Sequence, residues 1–257
     1  MITEARDITI SDVAPRQPGD PKPDLIDYRV VHRAMTVDLN RLATAAAELV
    51  GRPDRARMAA LRSYLEGVSG EIVSHHQVED EAVWALLEAV AGELTPLAPL
   101  TDDHERLDPL LRRAVALADL QRPTPELATV LREVAELLAR HVDDEERLVF
   151  PLLEGCVRVE DYQKLQKRFR ANVRPRLLPF LVPWAIRHAT PEERPELLSS
   201  AGWLMRALLV LFERRFRARE ALLFGPAGSP TSPDDRAPVP CRLKTSHTTN
   251  PLLRGES

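Results

Sequence analysis

Two stretches of this chain carry one pattern. Residues 74–87 read SHHQVEDEAVWALL and residues 140–153 read RHVDDEERLVFPLL. Laid in register, His75 meets His141, Glu79 meets Glu145, Trp84 meets Phe150, and the closing leucine pairs coincide. Each copy is a His with a Glu four residues on. On a helix, residues i and i+4 lie one above the other, with Cβ atoms about 5–6 Å apart. One imidazole and one carboxylate so placed can grip the same ion or two adjacent ones.

The surroundings are amphipathic. Val78, Ala82, Leu86 and Ala89 follow His75; Val142, Leu148 and Leu152 follow His141. The His and Glu therefore fall on or beside the buried stripe. A buried carboxylate and imidazole are costly unless they pair or bind metal. A single copy could be a His–Glu hydrogen bond inside an ordinary bundle. Two copies in register argue against that, and so do two further histidines.

Those are His32 and His104, each opening a helix one helix ahead of a His-x-x-x-Glu helix. His32 lies 19 residues before Gly51, and His75 lies 22 after Pro53. His104 lies 17 before Gln121, and His141 lies 18 after Pro123. In antiparallel hairpins the members of each pair stand at similar heights, to within a turn or so at about 1.5 Å per residue. Four histidines and two glutamates then meet in one layer of an all-α, up-down four-helix bundle. His76 sits beside this face rather than on it. It has Asp80 at i+4, so a His76/Asp80 pair is an alternative; the register with His141/Glu145 favours His75/Glu79.

The order His32, His75-x-x-x-Glu79, His104, His141-x-x-x-Glu145 resembles the hemerythrin HHE cation-binding domain, over residues 24–155. The resemblance implies a four-helix bundle around a non-haem di-iron centre with an oxo or hydroxo bridge. His32, His75, His104 and His141 would be terminal ligands of iron, and Glu79 and Glu145 would bridge the two ions. Oxygen-carrying members add a His four residues after the third-helix His; here that position is Asp108. Four imidazoles, two bridging carboxylates and a shared oxygen leave about two positions of two octahedral ions open. Mixed imidazole and carboxylate ligation also suits manganese or zinc. Tyr28, one turn before His32, could be an extra ligand or a hydrogen-bond donor. Glu71, one turn before His75, could accept a ligand's free N–H. Asp108 could supply a further carboxylate. Trp84 and Phe150 should pack around the metal layer.

The rest of the chain frames this domain. Residues 1–23, with four prolines, read as an irregular arm. Helices are expected at 24–50, 54–90, 102–120 and 126–153, with Asp102 as an N-cap, Pro109 bending its helix and Pro151 bending or ending the fourth. Residues 156–224 read as a helical extension: a basic helix at 158–173, a proline-broken apolar run at 175–184, then helices at 191–199 and 201–224. The run Trp203, Leu204, Ala207, Leu208, Leu211 and Phe212 needs burial, on the bundle or in a homodimer through 158–224. Residues 225–257 have the composition of a disordered tail. Cys156 and Cys241 form no metal spacing, and His188 and His247 read as lacking partners.

Composition narrows the function. A net charge of −4 makes no electrostatic case for nucleic acid. No stretch approaches the apolar length of a membrane span, and residues 1–20 lack a signal-peptide run, so the expectation is cytoplasmic. The leading expectation is a hemerythrin-like protein whose partner is a small diatomic or peroxide: it binds or reacts with O2, peroxide or NO, in stress response or iron handling. A peroxide-decomposing, catalase-like di-iron enzyme is the alternative. An interaction module with a vestigial metal site is the second.

Overall fold

The computed structural model describes residues 13–92, 97–200 and 202–225. The described residues form one compact unit. Helix α1 spans Ile26–Gly51 and α2 spans Arg55–Val78. A π-helical turn at Glu79–Val83 joins α2 without a break to α3, Trp84–Ala91. Helix α4 spans Ala98–Asp119 and α5 spans Pro125–Cys156. Around the ring, α1 neighbours α2 and α5, and α4 neighbours the same two. Short connections make sequential helices antiparallel, as in up-down bundles. No strand occurs among the described residues.

Local chemistry sets the helix ends. Asp54 caps α2 by accepting from Arg57 N at 2.7 Å, and Thr124 caps α5 by accepting from Leu127 N at 3.1 Å. Helix α4 begins earlier than expected, after Leu97, so Asp102 lies inside it rather than at its cap. Pro99 in the first turn starts the helix, since the N–H it lacks would be unpaired there anyway. Helix α5 runs through Pro151 to Cys156. Pro151 and Pro109 both stand on exposed faces, where water can take the carbonyls they leave free.

The buried apolar residues form two clusters along the bundle. One holds Met35 to Leu49 of α1, Met58 to Ile72 of α2, Leu107 to Ala118 of α4 and Leu127 to Val142 of α5. The other holds Leu25, Tyr28, Val78 to Val90, Leu97, Leu100 and Val149 to Leu165. On every helix the change from one cluster to the other falls at the same level, and the histidines and glutamates of the sequence pattern occupy it.

The extension packs on this bundle. Helix α6 (Val159–Asn172) lies on α2. Its Tyr162 hydroxyl donates to Asp27 Oδ1 at 3.2 Å and its Gln166 amide to Asp27 Oδ2 at 2.9 Å. The run expected to be broken by prolines is instead a short 3-10 turn and helix α7, Leu178–His188. Pro175 and Pro179 fall in first turns, where proline fits. Helix α8 (Glu193–Ser200) is tied to α1 by a forked pair, Arg33 Nη1 and Nη2 to Glu193 at 2.7 and 2.8 Å. Helix α9 (Gly202–Phe224) packs on α7 and α2. The buried Asp38 of α1 accepts from Tyr64 at 2.6 Å, Trp184 at 2.8 Å and His188 at 2.9 Å, and pairs with Arg41 at 2.7 Å. His188 therefore has a partner, against the reading from sequence.

Part of α9 stays uncovered. Trp203 is 81% exposed, and Leu204, Val210 and Leu211 are also exposed. Among the described residues the burial expected for that run is only partial, with Leu208 and Phe212 half-buried. No single helix among the described residues is long and apolar enough to cross a membrane. Cys241, His247 and all of the expected tail 225–257 after Gly225 lie outside the described residues.

Candidate metal centre

The structure brings all six residues of the sequence pattern into one layer. His32, His75, His104 and His141 are each at most 4% exposed, and Glu79 and Glu145 are fully buried. The histidines meet in pairs. His32 Nε2 and His75 Nε2 are 3.2 Å apart, as are His104 Nε2 and His141 Nε2. Each glutamate reaches both pairs. Glu79 lies 2.7 Å from His75 and 3.4 Å from His104. Glu145 lies 3.3 Å from His32 and 3.6 Å from His141.

Tyr28 stands over the two carboxylates. Its hydroxyl lies 2.5 Å from Glu79 Oε1 and 2.7 Å from Glu145 Oε1. One hydroxyl carries one proton, so it donates to one carboxylate at a time and is shared between them. The aromatic walls fall where the sequence placed them. Phe150 stacks on His32 with ring centroids 5.8 Å apart, and Trp84 on His104 at 6.4 Å.

Two carboxylates hold the imidazoles from behind: Asp80, which the sequence offered only as a partner of His76, and Glu146, which it did not single out. Asp80 Oδ1 accepts from His104 Nδ1 at 3.0 Å, and Glu146 Oε1 from His32 Nδ1 at 3.1 Å. A carboxylate only accepts, so Nδ1 carries a proton and Nε2 is the nitrogen turned inward, which gives a metal its lone pair once it is unprotonated. Both residues directly follow a glutamate of the pattern. An acid after the Glu in both copies was the signal that could have found them.

The remaining candidates separate. Glu71 makes no hydrogen bond to a ligand; it lines a cavity beside His75. It is half-buried by exposure but closely surrounded by protein, and that burial raises its pKa, with His75 opposing. Asp108 Oδ1 is 3.7 Å from Nδ1 of His76, not of a paired histidine. His76, set aside in the sequence, is buried within this layer at 3% exposure.

Without metal the layer divides its charge. Burial and Glu145 push the Glu79 carboxyl well above its ordinary pKa. Burial also opposes the charge of Glu145, but His32 outweighs it and holds that carboxyl below the usual range. Burial alone would lower His32; Glu145 overrides it and raises it to about 10. Burial, then the charge of His32, pushes His75 down to about 3. Burial pushes His141 down to about 4.

The donor set fits a pair of ions. Two imidazole nitrogens bound at right angles to one ion, about 2.1 Å from each, stand about 3 Å apart, close to the spacing of both His pairs. Neither carboxylate Oε2, on Glu79 or Glu145, has a hydrogen-bond partner although both are buried. Such orphaned acceptors are rare in proteins unless something else occupies their lone pairs. Potential ligand atoms fall into two groups, His32 with His75 and Glu79, and His76 with Glu79, His104 and His141. The arrangement is a metal-binding site.

The cavity beside it measures about 370 Å³. Tyr28, Glu71 and His75 face it from the bundle, and Phe169, Leu181 and Met205 from the extension.

A family model described as the hemerythrin HHE cation binding domain matches residues 27–153. Among curated proteins, the chain is similar to a zinc finger protein BRUTUS-like of Arabidopsis thaliana, 24% identical over 198 residues. That match covers 70% of this chain, and the chain spans 15% of that relative's length. No solved structure matches.

Proposed function

With residues 27–153 belonging to the hemerythrin HHE cation-binding family as premise, we propose a non-haem di-iron protein that binds or reacts with O2, peroxide or NO. Its work would be the relief of oxidative or nitrosative stress, or the handling of iron. The observation that carries this reading is that Glu79 and Glu145 each reach one histidine of both pairs, all within a buried layer. That is the donor arrangement for two adjacent ions sharing two carboxylates.

Iron held there would supply redox chemistry and positions open to a small ligand. The chain's own residues do the rest. Asp80 and Glu146 fix the imidazole tautomers. Tyr28 keeps a proton against the carboxylates, on the side facing the cavity. Phe150 and Trp84 flank the histidines with apolar surface. The cavity gives a small neutral molecule an approach to His75 and Tyr28.

Metal analysis with absorption spectra of protein produced in iron-supplied medium tests the reading. About two irons per chain are expected, with near-ultraviolet bands that change on adding O2, peroxide or NO. A chain that takes up no iron, or one inert to all three, overturns it.

A second reading is peroxide decomposition. It is favoured by Glu71 and Tyr28, two proton-carrying groups that face the cavity beside His75. Sustained oxygen evolution from added peroxide, lost in Glu71→Gln with iron content unchanged, would support it.

A further inference from the structure

We propose that His76 is a fifth imidazole donor of this centre, binding through Nε2 the ion held by His104 and His141, with Asp108 behind its Nδ1. The proposal rests on the di-metal reading above and deepens it.

The first ground is an imbalance of hydrogen bonds. His76 is buried, and neither Nδ1 nor Nε2 has a hydrogen-bond partner. An imidazole always has at least one N–H donor, and burying it unpaired is costly. Its ring stacks on His104 with centroids 4.0 Å apart and planes 8° from parallel, so His76 reaches the ion of His104 only by turning out of this stack, because an imidazole lone pair lies in the plane of its ring. It meets His141 edge-on at 5.3 Å. Its ligand atom lies within 4.8 Å of those of Glu79, His104 and His141. An orphaned donor therefore sits in a group of inward-facing donors.

The second ground is helix phase. At about 100° per residue, Glu79 lies about 40° from His75 and about 60° from His76, between the two. A carboxylate bridging two ions then has one histidine of its own helix on each side. His75 serves the His32 ion, and His76 serves the other. The π-helical turn begins at Glu79, directly after this set. Such turns recur at functional sites, where the wider turn shifts the helical phase of the residues beyond it.

The third ground is support from behind. His32 has Glu146 and His104 has Asp80. His76 has Asp108, whose Oδ1 is buried, without a hydrogen-bond partner, and 3.7 Å from Nδ1. A small rotation closes that gap into a third imidazole–carboxylate pair of the same kind.

The second copy offers nothing equivalent, since Val142 stands at the position matching His76. The two ions are therefore unlike. One takes His76, His104 and His141. The other takes His32 and His75, keeps the freer position, and is the one beside the cavity.

Wild type, His76→Val and Asp108→Asn are loaded with iron, challenged with a chelator, and followed by metal content and absorption. Melting is recorded for loaded and stripped protein. Expected are loss of one of the two ions at least about tenfold faster in His76→Val, and a smaller but clear acceleration in Asp108→Asn. Stripped His76→Val should melt at or above stripped wild type, so that only the stabilisation by metal shrinks. Two ions released from both variants at the wild-type rate, with an unchanged spectrum, overturn the proposal. Should His76→Val not fold, Asp108→Asn decides alone by the same readout. Wild type that never takes up a second ion refutes the di-iron reading instead, which keeps the two failures apart.

Discussion

Asp80 Oδ1 lies 3.0 Å from His104 Nδ1 and also accepts from Trp84 Nε1 at 3.0 Å. The aspartate is thus held by one ring while it orients another. Asp80→Ala should leave His104 free to rotate and to change tautomer. Metal retention is expected to weaken by about 10- to 100-fold, measured by competition with a chromogenic chelator, with little change in helix content. Glu146→Ala should do the same through His32.

Tyr28→Phe removes the hydroxyl shared between Glu79 and Glu145. In stripped protein this leaves buried oxygens without a partner, at a cost of about 1–3 kcal/mol. Metal would satisfy those oxygens in part, so the loaded protein should lose less. Urea unfolding of both forms checks the difference; equal losses would refute it.

Asp38 is the tie between α1 and the extension. Burial alone would raise its pKa, but His188, Arg41 and Tyr64 hold it well below the usual carboxylate range. A depressed folded pKa gives stability that is present above the unfolded value of about 3.9 and fades as pH falls below it. Asp38→Ala is expected to cost about 3 kcal/mol at neutral pH. Wild type and variant should converge as the solution is acidified below about pH 4. A constant difference across that range would count against the assignment.

Helix α7 and the 3-10 turn before it press on two glycines of α2. A Cβ at Gly67 would meet the Phe180 ring, with Cγ at 2.7 Å, and that ring is packed against Tyr64 and Phe216. A Cβ at Gly70 would meet only the tip of Leu177. Gly67→Ala should cost about 1–3 kcal/mol through forced repacking. Gly70→Ala should be close to neutral or stabilising, because the helix gains Ala propensity. Thermal melts of the two variants check the contrast.

The exposed Trp203, Leu204, Val210 and Leu211 of α9 form a stripe that water covers poorly. We expect a second copy of the chain to cover it, forming a homodimer. Sedimentation should then show the mass of a dimer, and Trp203→Glu should shift it to that of a monomer. A monomeric wild type would remove the expectation.

The bundle and its layer were legible because their information is local. A period near four, repeated at one register, places His75, Glu79, His141 and Glu145 on facing stripes before any contact is known. Helix counts between the prolines level His32 and His104 with them. What escaped was settled by partners distant in sequence or by phase. Asp38 finds Trp184 and His188 some 150 residues away, and no pattern links them. The burial of His76 within the layer was passed over because strict register favours one histidine per copy. Proline punctuation misled at Pro151, on an exposed helix face, at Pro179, in a first turn, and at Pro183, which α7 carries in its interior.

The extension walls the cavity beside the centre, and on the proposed function the apolar part of that wall would act as a filter on hydration. Tyr162, Gln166 and Arg170 are its polar part, while Phe169, Leu181, Val182, Leu209 and Met205 offer few groups to replace a solvent shell. An ion entering between them must shed water at a cost that rises steeply with charge. A neutral diatomic gives up almost nothing, and hydrogen peroxide gives up only hydrogen bonds. On the function proposed above, a wall built by residues far from the repeated motif would rank visitors by solvation before any donor atom of the layer met them.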